Sequence, residues 1–245
     1  MSFSKIALAS LKYHRRITAF YIFFLSILFI LFFIIESLQI SLPYIYEHVE
    51  RLLSSSGYSL ERQTILASIQ EPTETVNNYY HLFKKIAIIS FSVLFVLYFF
   101  ICQLVKDKEL LVWKHSGNTM FSWLRLNLLE SFFPLIFLIL IFILLTMIFQ
   151  RYFVEMILYQ HFKIIESVSN VDTVTEQLEQ TQLGQLVTRF PRTNQALIQS
   201  ILLPSQEWTK IFFLSIGKTI RNIIFLLFSA QIITISTYYY WRYKL

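Results

Sequence analysis

Between two long apolar runs the chain carries a charged stretch: Lys106, Asp107, Lys108 and Glu109, then Lys114 and His115, and further on Arg125 and Glu130. Such side chains can pair as ions, titrate or hold a charged partner, and none of them sits in a catalytic pattern. The five histidines (His14, His48, His81, His115, His161) are isolated from one another, and neither H-E-x-x-H nor G-x-S-x-G occurs. The four glycines are scattered, so no phosphate-cradling G-x-x-x-x-G-K-[ST] loop exists and the chain is not expected to hydrolyse ATP itself. The single cysteine, Cys102, lies inside an apolar run, where it reads as a small lipid- or helix-facing residue with no disulfide partner. The expectation is no enzyme, no resident cofactor and no metal. Glu130 heads an apolar run and has three roles open to it: a water-exposed interfacial residue, a helix cap, or the partner of a base such as Arg125. A proton relay is not expected, because it needs a second intramembrane ionisable group.

The runs on either side position this stretch. Residues 86–105 and 128–149 are each about 20 residues long, enough to cross ~30 Å of hydrocarbon at ~1.5 Å per helical residue. Two further runs, 17–35 and 223–241, are of similar length. Composition agrees: among 245 residues 56% are hydrophobic and 18% aromatic, and only 15% are charged against about 25% in soluble domains. The net charge of +6 does not indicate a nucleic-acid partner, because the basic residues flank apolar runs instead of forming a basic domain. The first run is longer than a signal-peptide core and no small-residue cleavage site follows it, so it reads as a retained span.

Within residues 106–127, Leu110, Leu111 and Trp113, then Met120, Phe121, Trp123 and Leu124, form apolar stripes between Lys106, Lys108, Glu109, Lys114 and Arg125. The spacing predicts two short amphipathic helices meeting at Gly117. Lys114 and His115 would occupy the last turn of the first, Gly117 would supply a residue tolerant of positive φ, and Asn118 or Thr119 would cap the second.

Written K-x-K-E-L-x-x-W-K-x-x-G-x-x-x-x-x-x-L-R-L-x-L-L-E-S, residues 106–131 resemble the corresponding segment of FtsX/MacB-like ABC transporter permeases. Glu109 falls on that family's Glu, Gly117 on its turn glycine, and Glu130 and Ser131 on the Glu-Ser heading the third membrane helix. The resemblance covers about a tenth of the chain. It implies a permease subunit of a bacterial ABC transporter with a mechanotransmission mechanism. A separate cytoplasmic ATPase, present in two copies, would carry the Mg-ATP, and a second copy of this chain or a related permease would complete the dimer. The expected ATPase-coupling residues are Glu109, Leu110, Trp113, Lys114 and Gly117, with Trp113 as the apolar anchor. The implied activity is extrusion of an amphiphile, such as an antimicrobial peptide or a lipid-like molecule. Two alternatives stand beside it: FtsX-like signalling to a cell-wall hydrolase without transport, and a non-ABC four-span immunity or adaptor protein.

Taken in order, the expected architecture is an all-α membrane protein in the bacterial cytoplasmic membrane. Residues 1–16 form a cytoplasmic amphipathic helix with Lys5, Lys12, Arg15 and Arg16 and no acid, and residues 17–35 the first span, closed by Glu36 at the interface. An extracytoplasmic region, 36–85, is expected to be broken into short pieces at Pro43, at Ser54 to Gly57 and at Glu71-Pro72. Span 2 (86–105), the cytoplasmic coupling segment (106–127) and span 3 (128–149) follow. A second extracytoplasmic region, 150–222, includes a polar helix within 168–185 and an interfacial helix over 208–221. Span 4 (223–241) leads to a cytoplasmic tail, 242–245. The proposed cytoplasmic pieces hold ten of the 21 Lys and Arg in few residues, so both termini are placed inside. The chain departs from the family pattern in its small first outer region and its longer connection between spans 3 and 4.

Overall fold

The computed structural model describes residues 3–55, 59–168 and 203–244. Among them are seven helices and no strand: α1 (Phe3–Tyr13), α2 (Arg15–Ser55), α3 (Ser59–Val105), α4 (Asp107–His115), α5 (Met120–Ile148), α6 (Gln150–Val168) and α7 (Ser205–Lys244). Four stretches are long and apolar enough to cross a membrane: Arg15–His48, Thr73–Val105, Met120–Ile148 and Ser205–Arg242. The described residues are thus all-helical, and the chain is a multi-pass membrane protein. Helices suit these runs because a helix satisfies its backbone hydrogen bonds internally, where lipid offers no replacement for water.

The helices outrun the apolar stretches that specify them. The breaks expected at Pro43 and at Glu71-Pro72 do not occur, since α2 continues to Ser55 and α3 begins at Ser59. An interior proline costs about 3 kcal/mol, yet a helix already nucleated propagates cheaply. Pro43 is itself exposed while Leu42 beside it is buried, so the missing hydrogen bond lies on the open side of α2. Glu36 lies within the continuing α2 and is fully buried. The interfacial helix expected over 208–221 is part of the continuous α7, with Trp208 and Ile211 buried. Most of the polar stretch at 168–185 and the turn at Gly57 lie outside the described residues.

Junctions between helices are short. At His14 and at Lys106 the backbone hydrogen bonds carry straight through: His14 N–H donates to Ser10 O (2.9 Å) and Lys106 N–H to Cys102 O (3.0 Å). The joints α1–α2 and α3–α4 are therefore single-residue bends.

The described chain falls into two compact units. One comprises Met1–Phe33, Lys84–Met147 and Ile216–Leu245. Phenylalanine dominates its packing: Phe29 and Phe33 lie 4.5 and 5.1 Å from Phe142, and Phe24 lies 5.1 Å from Phe95. Such ring pairs contribute about 0.5–1.5 kcal/mol beyond area burial.

The other unit comprises Ile34–Phe83 and Ile148–Ser215. At its centre His161 is buried between two hydroxyls. Ser41 Oγ donates to Leu38 O (3.3 Å), which leaves it to accept from His161 Nε2 (2.8 Å), and Tyr80 Oη donates to Nδ1 (2.9 Å). Burial pushes the imidazole down to about 4, so the ring is held neutral.

Candidate functional site: the α3–α4–α5 platform

α4 begins with acids, Asp107 and Glu109, and ends with bases, Lys114 and His115, the arrangement that complements a helix dipole. It stops at Gly117, the one residue with positive φ (+77°) among the described residues. Gly117 N–H donates to Lys114 O (2.9 Å) and Asn118 N–H to Trp113 O (3.4 Å), the two hydrogen bonds of a Schellman ending. A Cβ at Gly117 would meet nothing within 4 Å, so glycine is required there by φ and not by space. Thr119 Oγ1 accepts from Ser122 N–H (3.4 Å) and caps the start of α5. The second short helix expected after Gly117 is the first part of α5, continuous with the third span.

Three ionic or hydrogen-bonded contacts hold α4 and its joint with α3. At the joint, Lys106 pairs with Glu130 of α5, both side chains 9% exposed. In the first turn Asp107 accepts from Arg242 Nε and Nη2 (3.2 and 3.1 Å) and from Tyr238 Oη (2.8 Å), all on α7. In the same turn, Glu109 Oε1 meets His14 Nε2 at 2.8 Å. Beneath them Leu110 sits 2% exposed in an apolar cluster with Ala7, Trp123, Leu126, Ile235 and Tyr238.

A polar network continues along α5. Trp123 Nε1 donates to Gln103 Oε1 (2.9 Å), Gln103 Nε2 to Asn127 Oδ1 (3.2 Å), and Asn127 Nδ2 to Trp123 O (2.9 Å). Gln231 of α7 donates to Ser131 Oγ and to Asn127 O, and Tyr21 Oη donates to Ser131 O (3.2 Å). A cavity of about 50 Å³ lies beside the network, with Lys106, Glu130, His14 and Tyr21 among its lining.

The five residues singled out from the sequence separate into two sets. Leu110 is buried and Glu109 is engaged with His14. Trp113 is half-buried: its ring packs against the apolar cluster 5.9 Å from Trp123, and its Nε1 donates to Ser122 Oγ (3.1 Å). Lys114 and Gly117 are exposed. Two residues outside that set are the open apolar side chains here: Val112, which the sequence reading did not name, and Phe121, which it placed only in the apolar stripe, 68% and 80% exposed. Lys106 and Asp107 were read only as charges of the segment, whereas Glu130 takes Lys106, not Arg125, as its ion-pair partner. The signal for that pair was positional: a base closing one span and an acid heading the next sit at similar depth. No group of three or more His, Cys, Asp or Glu side chains suited to a metal occurs among the described residues. No family model, curated protein or solved structure matches this chain.

Proposed function

We propose that this chain is the membrane subunit of a bacterial ABC-type exporter, and that α4 and the turn after it are the part a separate cytoplasmic ATPase grips. The observation that supports this reading best is the fixing of α4. A nine-residue helix between two spans is tied by Asp107, Glu109 and Leu110 to α7, the α1–α2 joint and the apolar cluster, while Val112, Lys114 and Phe121 are solvent-exposed. A helix tied at that many points moves only with the spans it is tied to. A push on its open side is thereby carried into the bundle.

In this reading Val112 and Phe121 are the apolar contacts and Lys114 a charged one. Glu109, Leu110 and Trp113 carry the force inward, and Gly117 sets the turn. Both termini are cytoplasmic, a second permease completes a dimer, and Mg-ATP binds only the partner. The cargo is an amphiphile such as an antimicrobial peptide or a lipid-like molecule.

The test is ATP hydrolysis by the complex isolated in mild detergent. Val112→Asp with Phe121→Asp should lower permease-stimulated hydrolysis by about tenfold or more, as loss of a hot spot does, while membrane insertion is unchanged. Trp113→Ala should act in the same direction through the α4 anchor. Normal stimulation by both variants, or an ATPase-free particle, would remove the reading. Stimulation that persists without any effect of candidate amphiphiles in vesicles would point instead to signalling.

A further inference from the structure

α1 has two faces. On the inner one Ala7 is fully buried in the cluster with Leu110 and Trp123, and Ile6 packs against it. On the outer one Ser4, Lys5, Leu8, Ala9, Lys12 and Tyr13 are all exposed, a stripe with the i, i+1, i+4, i+5 spacing of one helix side. Leu8 and Tyr13 are 56% and 79% open. Exposed Arg15 and Arg16 follow at once, where α2 starts its membrane-spanning stretch. The first acid in the chain is Glu36, and none of Lys5, Lys12, Arg15 or Arg16 joins an ion pair among the described residues.

We propose that this stripe is a binding surface for anionic phospholipid headgroups, phosphatidylglycerol being the simplest example. Charge complementarity carries the choice of occupant. Four cations without an acid ask for anions, and their place at the head of a span puts them at headgroup depth, where phosphates are dense. Leu8 and Tyr13 then fit the same occupant, since a lipid offers acyl chain beside its headgroup, as interfacial amphipathic helices require. The inference is independent of the ATPase reading, because it concerns the lipid and not the engine.

The experiment uses the full chain reconstituted in phosphatidylcholine bilayers doped with spin-labelled phosphatidylglycerol or spin-labelled phosphatidylcholine. The motionally restricted fraction of each label reports its association with the protein. The wild-type chain should prefer phosphatidylglycerol, and the preference should fade as salt approaches roughly 1 M, where the Debye length is ~3 Å. Each neutralised cation should weaken it by up to about fivefold. Lys5→Gln with Lys12→Gln should therefore lower the preference well beyond Lys218→Gln with Arg221→Gln, which removes equal charge from α7. Lys5→Arg with Lys12→Arg should retain it, separating charge from any loss of α1 packing. Equal preference for the two lipids in the wild-type chain overturns the proposal, even if the substituted chains fail to fold. So does an equal drop in the α7 variant, or an unchanged preference in the Lys5 and Lys12 variant.

Discussion

Lys106 and Glu130 offer the sharpest test of the platform, because each is 9% exposed and each is the other's counter-charge. Lys106→Met leaves a carboxylate inside the bundle, and Glu130→Leu leaves an ammonium there. Removing one member of a buried pair costs about 3–5 kcal/mol, most of it the penalty on the charge left behind. The lower end applies here, since the adjacent cavity of about 50 Å³ has room to admit water to the stranded group. Replacing both residues removes both charges, and such double replacements are often neutral. The expected result is two single variants each less stable by about 3 kcal/mol, with the double variant Lys106→Met/Glu130→Leu close to the unaltered chain. Stability is read by titrating the purified protein with dodecyl sulfate in mixed micelles and following tryptophan fluorescence. Trp113 and Trp123 lie 5.9 Å apart in the same part of the molecule and report its loss. A double variant as unstable as the sum of the singles would show that the two side chains are not coupled, and the packing of α3 against α5 described above would be wrong.

Gly117 variants should rank by their tolerance of positive φ: Asn close to the parent, Ala lower by about 1 kcal/mol, and Val lowest, measured by the same titration. Asp107→Asn breaks the bidentate pair with Arg242, but these side chains are 25% and 45% exposed, so the loss should be only about 1 kcal/mol and should shrink in high salt. His161 predicts a pH dependence. Its folded pKa, about 4, lies below the ordinary value of 6.5, so the unfolded chain binds the proton more readily. Stability is then unaffected above pH 6.5 and falls as pH drops toward 4, by roughly 3 kcal/mol in total; His161→Gln should flatten that window, and an unchanged slope would count against the buried ring.

What could be read from the sequence was local. Runs of about 20 apolar residues located the four spans, and the sequence Lys114-His115-Ser116-Gly117 located the end of α4, because caps and hydropathy act over a few residues. The extent of the helices was not local. Pro43 and Pro72 are turn signals that the continuing helices override, and Glu36 is placed by packing and not by its own charge. The burial of Leu110 and the exposure of Val112, with Trp113 half-buried between them, were not local for a related reason. All three are apolar, and which of them faces inward depends on the rotation of α4, set by Ala7, Trp123 and Ile235 far along the chain. The ion pairs join residues 24, 95 and 135 positions apart; the first leaves a positional signal at facing span ends, but the register of α4 against α7 and against the α1–α2 joint leaves none in a single sequence.

That register has to be fixed by something other than hydrophobicity, since lipid tails are as apolar as leucine and drive no association between spans. Two devices share the task in this unit. Ring packing of Phe24, Phe29, Phe33, Phe95 and Phe142 supplies contact area but tolerates sliding, because one apolar neighbour substitutes for another. The Gln103–Trp123–Asn127 and Gln231–Ser131–Tyr21 hydrogen bonds do not tolerate it, since a shift of one turn, ~5.4 Å, would break each of the bonds that cross between helices in an apolar setting. The polar network lies next to the α3–α4 joint, so the bundle is most sharply specified where α4 is attached. Gln231→Leu should therefore loosen α7 against α5 more than Phe29→Leu does, although it removes no apolar area. Amide hydrogen exchange in α4 and the neighbouring turns of α5 and α7 measures this directly, and faster exchange there in Phe29→Leu than in Gln231→Leu would reverse the assignment.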